Sequence, residues 1–193
     1  MAALTALGEA GDAPDWRNCA MAVMAGGLAL YYNPAFAVID SLKGGEPVKE
    51  MSPQEAFDLM KSDPEHIYLD VRSVPEFEAG HPEGAINIPL LHFDPNTGMA
   101  PNKDFSAVVE AVLPKDAKLV VGCKSGGRSA SACQLMSQIG YTNVANVRGG
   151  FGGQVDNFGR VIEPGWSVLN LPVSTEAGET ARYEALLAKA KGG

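Results

Sequence analysis

The stretch 123–129, Cys-Lys-Ser-Gly-Gly-Arg-Ser, holds the residues whose types and spacing are best suited to chemistry. The apolar run 118–122 before it predicts a buried strand, and residues 128–139 after it predict a helix closed by Gly140. In open α/β sheets, ligands bind beyond the carboxyl ends of the strands. We therefore expect Cys123 to lie in a loop at such an end.

The composition of this loop favours an ionised thiol. Gly126 and Gly127 allow the backbone to curl so that several N–H groups point inward, which creates a site for an anion. The following helix adds the positive end of its dipole, and Lys124 and Arg128 add positive charge. These features favour the nucleophilic thiolate of Cys123 and an anionic substrate or intermediate.

The rest of the composition narrows the alternatives. The 193 residues carry a net charge of −8, which argues against a nucleic-acid partner because phosphate binding needs clustered Lys and Arg. The three cysteines (Cys19, Cys123 and Cys133) and three histidines have no metal-ligand spacing, so we expect no metal site. Cys133 falls among apolar positions of the predicted helix, which is typical of a buried structural cysteine.

Strands and helices alternate along the chain. Ser52, Pro53 and Glu55 form the start signal of a helix, and Asp104 is placed to cap a helix that Pro114 stops. Short apolar runs at 67–71, 85–88, 118–122 and 144–147 predict strands, while residues around His92 read as a Pro-flanked loop. This order predicts an α/β fold with a mainly parallel central sheet and helices on both faces.

Four motifs, in order, resemble the rhodanese family, in particular its single-domain sulfurtransferases, over roughly residues 48–173. They are Leu69-Asp70-Val71-Arg72, the stretch 80–89 that begins Gly-His-Pro-Glu-Gly-Ala, the 123–129 loop, and Val147-Arg148-Gly149-Gly150. The resemblance implies a rhodanese-like fold and transfer of sulfane sulfur from a small anionic donor such as thiosulfate to cyanide or a thiol. Cys123 would be the nucleophile and carry a persulfide, with no metal or organic cofactor. The residues that would bind the substrate or persulfide are Lys124, Ser125, Gly126, Gly127, Arg128 and Ser129.

Two other functions remain open at this stage. Four residues separate Cys123 from Arg128. Cysteine-dependent phosphatases and the related arsenate reductases resemble each other in having a longer loop between cysteine and arginine. The shorter spacing of this chain therefore favours sulfur over phosphate. A sulfur-relay module that serves a partner protein would need the same loop, and the thiol acceptor can be a protein. We expect Asp70 and Arg72 to form a structural ion pair and His81 to fix a turn. Arg148 is a candidate for the same pocket.

The chain departs from the family pattern after Gly150. Residues 152–165 intervene before Trp166, and the sequence 156–159 predicts a hairpin, either a tolerated insertion or a flap on the acceptor side of the pocket. The segment 174–193 predicts a further amphipathic helix, from 180 to 191, that docks on the domain.

The N-terminal region leaves location open. Residues 1–37 contain an uncharged apolar run and Ala35-Phe36-Ala37, which suit a signal peptide, although the preceding segment is acidic. The same run could be a membrane anchor or a helix packed on the domain. Residues 38–47 read as a linker. We expect export to the periplasm; a membrane-anchored or a cytoplasmic protein is the alternative. Membrane contact is expected only if this segment is retained.

Overall fold

The structure, a computed structural model, describes residues 48–96 and 98–192. The predictions for residues 1–47 lie outside this range. Five parallel strands form the central sheet in the order β1-β8-β7-β2-β4. They are β1 (Lys49–Met51), β2 (Ile67–Asp70), β4 (Ile86–Asn87), β7 (Leu119–Gly122) and β8 (Val144–Val147). The predicted parallel sheet is thus confirmed, and β7, which leads to Cys123, is its middle strand.

Helices cover both faces of the sheet. They are α1 (Pro53–Ser62), α2 (Val74–Glu78), α3 (Phe105–Val112), α4 (Gly127–Gln138) and α5 (Tyr183–Ala190), with a short 3-10 helix at Glu179–Ala181. Alternate residues of a strand point to opposite faces, so Leu69 and Val121 enter one core whereas Tyr68 and Val120 enter the other. No helix within the described residues is long and apolar enough to cross a bilayer.

The local signals explain where several helices begin and end. The Ser52 hydroxyl accepts a hydrogen bond from the Glu55 N–H at 3.2 Å, and the Glu55 carboxylate accepts one from the Ser52 N–H, which is the predicted capping box. Gly140, just beyond α4, has a φ of +95° that favours glycine. At the C-terminus, Tyr183 and Leu186 are buried against the core, so the predicted docking of this helix is confirmed, with α5 shorter than 180–191.

Three two-stranded antiparallel ladders complete the fold. The pair β9 (Gln154–Val155) and β10 (Val161–Glu163) forms the hairpin predicted at 156–159. The pair β5 (Leu91–Asp94) and β6 (Gly98–Pro101) is a hairpin where the sequence predicted only a loop. The loop was predicted because Pro89 and Pro95 flank residues 90–94. Finally, β11 (Val173–Ser174) pairs with β3 (His81–Pro82).

Candidate active site

Cys123 lies at the carboxyl end of the middle strand, where the chain turns from β7 into α4. Its Sγ accepts a hydrogen bond from the Gly126 N–H at 3.2 Å and lies 3.3 Å from the Ser129 Oγ. Gly126 is the N-cap of α4 with a φ of +95°, a conformation that lets its N–H turn back toward the sulfur. Cys123 is 1% exposed, so its thiol is buried and does not lie on the surface.

Ser129 is a second polar neighbour of the sulfur. Its hydroxyl lies 3.0 Å from the Gly126 carbonyl oxygen as well as 3.3 Å from Sγ, and the side chain is fully buried. Because a hydroxyl has one proton, it can donate to the carbonyl or to the sulfur. When the sulfur is negatively charged, donation to Sγ is favoured.

Arg128 is held by a carboxylate that the sequence analysis did not select. Its two terminal nitrogens donate to the Glu76 oxygens at 2.7 and 2.8 Å, and Glu76 also accepts from the Ser73 hydroxyl and N–H. Burial alone would raise the pKa of Glu76, but the hydrogen bonds from Arg128 and Ser73 outweigh it and bring the pKa from 4.5 to about 2. Burial likewise opposes the charge of Arg128, yet its bonds to Glu76 raise its pKa overall. The positive charge of Arg128 is therefore largely balanced before any ligand binds.

The segment 149–153 supports the loop from behind. The Cys123 carbonyl accepts from the Phe151 N–H at 2.7 Å, and the Lys124 carbonyl accepts from the Gly152 N–H at 2.8 Å. A Cβ on Gly150 would lie 2.3 Å from the Cys123 carbonyl oxygen, so only glycine permits this contact. The Gly-Gly motif after β8 is thus explained by close backbone packing against the cysteine.

A buried ion pair connects this support to the sheet. Arg72 forms a bidentate contact with Asp70, with a shortest distance of 2.6 Å, and donates to the Gly80 carbonyl at 2.8 Å. The guanidinium carbon of Arg72 also lies 4.1 Å from the ring centroid of Phe151. His81 Nδ1 lies 2.8 Å from the Phe77 carbonyl oxygen, as expected for a residue that fixes a turn.

The structure separates the remaining candidate residues by environment. Lys124, Ser125 and Gly127 are exposed on the loop. The Arg148 backbone lies beside Gly126, but its side chain points to two carboxylates, 3.9 Å from Glu55 and 3.8 Å from Glu163. Cys133 is fully buried within α4, and burial raises the pKa of its thiol.

A cavity of about 310 Å³ lies away from this site, at the amino ends of the strands. Its lining includes Lys49, His66 and Lys118, and Lys118 is already paired with Asp63 at 2.7 Å. None of the 123–129 loop lines this cavity, and in a parallel sheet chemistry is expected at the opposite, carboxyl edge.

The fold and the site together define an α/β protein with a buried cysteine at a strand–helix junction, whose sulfur accepts a hydrogen bond from a backbone N–H. The model of the rhodanese-like domain family matches residues 52–155, which is more than half of the chain. A relative from Arabidopsis thaliana named thiosulfate sulfurtransferase 18 is 34% identical over 143 residues, covering 73% of this chain and 94% of the relative. The chain belongs to the rhodanese-like family.

Two further comparisons agree with this assignment. The chloroplastic thiosulfate sulfurtransferase 16 of Arabidopsis thaliana is 39% identical over 92 residues, covering 48% of this chain and 76% of the relative. The mitochondrial protein HIGH ARSENIC CONTENT 1 of the same plant is 44% identical over 91 residues, and the match spans 47% of this chain and about half, 53%, of that protein. The crystal structure of Rv0390 from M. tuberculosis has a TM-score of 0.57 at 24% identity, covering 68% of this chain and all of that one, which shows the shared fold.

Two features of the site were not found from sequence. Glu76 read as part of a short helix, because its partner Arg128 is 52 positions away along the chain. Glu76 follows Ser73 by three residues, which is the spacing of a helix capping box. This local role accounts for the carboxylate, so nothing in the sequence pointed to a distant partner. The support of the loop by residues 149–153 rests on backbone contacts, which residue types do not report.

Proposed function

We propose that this protein is a sulfurtransferase that moves sulfane sulfur from a donor such as thiosulfate to a thiol or cyanide through a persulfide on Cys123. The observation that carries the proposal is the position of Sγ, 3.2 Å from the Gly126 N–H and 3.3 Å from the Ser129 hydroxyl at the start of α4. Two relatives named thiosulfate sulfurtransferases support it.

The proposed reaction has two displacements at sulfur. The Cys123 thiolate attacks the outer sulfur of thiosulfate; a bond forms from Sγ to that sulfur, the thiosulfate S–S bond breaks, and sulfite leaves with the electron pair. Cyanide or an acceptor thiolate then attacks the outer sulfur of the persulfide. The persulfide S–S bond breaks, and Cys123 leaves as the thiolate from which the cycle began.

The surrounding groups have distinct roles in this scheme. The persulfide would be held by the N–H groups of the 124–128 loop, since backbone donors around the start of a helix stabilise an anion at no cost in side-chain ordering. Arg128 keeps the loop in place through Glu76. We assign the attraction of the donor's sulfonate oxygens mainly to Lys124, because the charge of Arg128 is balanced by Glu76 whereas the Lys124 side chain is exposed on the loop.

Steady-state formation of thiocyanate from thiosulfate and cyanide tests the proposal. We expect turnover by the wild type, none by Cys123→Ser, and near-normal turnover by the matched variant Cys133→Ser, which changes the cysteine within α4. If Cys123→Ser turns over thiosulfate as well as the wild type does, the assignment of the nucleophile is wrong.

Reduction of arsenate is a second candidate, because the relative at 44% identity has arsenic in its name. The spacing of four residues between Cys123 and Arg128 favours sulfur. Arsenite formation with glutathione as the reductant, measured beside thiosulfate turnover, separates the two. Faster turnover of arsenate would select the second candidate, and rapid hydrolysis of p-nitrophenyl phosphate would point instead to a phosphatase.

A further inference from the structure

Exposed apolar side chains are concentrated on two hairpins. Eight large apolar side chains are exposed among the described residues, and six of them belong to β5–β6 or β9–β10. On the first hairpin, Phe93 and Met99 are cross-strand partners. On the second, Phe158 at the turn is 84% exposed, and the other three are Val155, Val161 and Ile162. Clustered apolar exposure of this kind marks an interaction surface more often than scattered single residues do.

The two hairpins follow strands that lie on opposite sides of β7, the strand that leads to Cys123. One follows β4 and the other follows β8, and β7 lies between those strands in the sheet. The first leaves the carboxyl edge where the Leu90 N–H donates to the Val71 carbonyl at 3.1 Å. The second is joined to the active-site loop by residues 149–153, and a Cβ on Gly149 would lie 2.8 Å from the Glu163 side chain. The two hairpins therefore follow strands on either side of the one that leads to the proposed nucleophile.

The β9–β10 hairpin does not need its apolar residues to keep its shape. The Asp156 carboxylate accepts hydrogen bonds from the N–H groups of Phe158 and Arg160 at 2.8 and 2.9 Å and pairs with the Arg160 side chain at 2.6 Å. Gly159 supplies the positive φ, +77°, of the turn. Within the hairpin, the guanidinium carbon of Arg160 lies 5.5 Å from the ring centroid of Phe158. Polar residues could occupy the other exposed positions, and their apolar character calls for a partner outside the hairpin.

We propose that the two hairpins dock a protein that presents a thiol on an apolar segment, and that this protein is the sulfur acceptor. This inference rests on the proposed function and names its acceptor class. Thiosulfate, cyanide and glutathione have too little apolar surface to cover the six side chains. The net charge of −8 opposes both an anionic lipid surface and a second copy of this chain, so a neutral or basic protein segment fits best.

Two cysteine peptides of equal charge test the proposal on the full chain. Each peptide has one central cysteine and a lysine at each end. In one peptide leucines flank the cysteine, and in the other serines flank it. With the wild-type persulfide, we expect the leucine peptide to accept sulfur with a KM lower by about tenfold or more, the effect of burying one large apolar side chain. The turnover with glutathione should be the same for the wild type, both hairpin variants and the Val168→Ser control.

Substitutions on each hairpin should remove the preference. One variant combines Phe158→Ser, Val161→Thr and Ile162→Thr, which keeps β-branching in the strand; another combines Phe93→Ser and Met99→Ser. The matched control is Val168→Ser, which changes an exposed apolar residue outside both hairpins and should keep the preference. Equal use of both peptides by the wild type, or a preference that survives in both hairpin variants, would overturn the proposal.

Binding measured without chemistry separates this inference from the proposed function. Fluorescence anisotropy of the two labelled peptides with Cys123→Ser should show the same leucine preference, even if no persulfide ever forms. Two other occupants give different results. If the protein sediments with vesicles of phosphatidylcholine and phosphatidylglycerol and the hairpin variants do not, the surface binds a membrane. If the protein self-associates in analytical ultracentrifugation and the hairpin variants do not, the surface binds a second copy. Either result would refute the proposal.

Discussion

Gly150 packs directly against the backbone of Cys123 and leaves no room for a side chain. Its φ is +55°, and a Cβ would lie 2.3 Å from the Cys123 carbonyl oxygen and 2.9 Å from the Lys124 carbonyl carbon. Both are backbone atoms, so no side-chain rotation can relieve the overlap in Gly150→Ala. The variant must therefore move the active-site loop or the 149–153 segment.

The expected cost has two parts. Placing alanine at a left-handed φ costs about 1 kcal/mol, and relieving a steric overlap in a packed region costs about 1–3 kcal/mol, for a total of about 2–4 kcal/mol. Displacement of the loop by about 1 Å should also slow sulfur transfer by up to about 100-fold. Urea denaturation and the thiosulfate–cyanide assay measure the two effects on one preparation.

A matched variant separates the cost of the steric overlap from the cost of the positive φ. Gly159→Ala also places alanine at a positive φ, +77°, but nothing lies within 4 Å of its Cβ. We expect it to lose only about 1 kcal/mol and to keep its turnover of thiosulfate. If Gly150→Ala is no less stable than Gly159→Ala and transfers sulfur at the wild-type rate, the loop does not depend on this close contact and our explanation of the Gly-Gly motif is wrong.

Three further predictions concern the same site. Because the pKa of Glu76 is lowered from 4.5 to about 2, its pairing with Arg128 stabilises the fold above pH 4.5, and this stabilisation is lost as the pH falls through about 2. Glu76→Gln should therefore remove this part of the acid dependence of the free energy of unfolding. The control Glu78→Gln, which changes an exposed pair with Arg182 on the same helix, should not. Ser129→Ala should slow sulfur transfer by about 10- to 150-fold, since a hydrogen bond to a charged group contributes about 1.5–3 kcal/mol, and an unchanged rate would remove Ser129 from the persulfide site. Because burial raises the pKa of Cys133, iodoacetamide should label it only after unfolding; rapid labelling of the folded protein would show that α4 opens.

The sequence predicted the architecture because its local signals agree with one another. The capping box at Ser52, the apolar strand before Cys123 and the glycine after α4 each specify one local conformation, and the structure contains all three. The hairpin at Phe93 was missed because β5 alternates apolar and polar residues over only four positions, and Pro89 and Pro95 on either side are typical of a loop.

The environment of the loop was less predictable, for a physical reason. Residue types in 123–129 indicate an anion site, but the state of Arg128 depends on Glu76, which the fold brings close from another helix. The orientation of Arg148 toward Glu55 and Glu163 likewise depends on how α1 and β10 pack around the end of β8. Such long-range pairs are set by tertiary structure, and no spacing in the sequence reports them.

The central claim is that Cys123 carries the transferred sulfur, and mass spectrometry of the thiosulfate-treated protein tests it most directly. We predict a gain of one sulfur atom on the peptide that contains Cys123, with sulfite released in equal amount, and loss of that sulfur as thiocyanate when cyanide is added. The Cys123→Ser protein should gain none. Absence of the added sulfur from the wild type, or its appearance on Cys133 instead, would contradict the account.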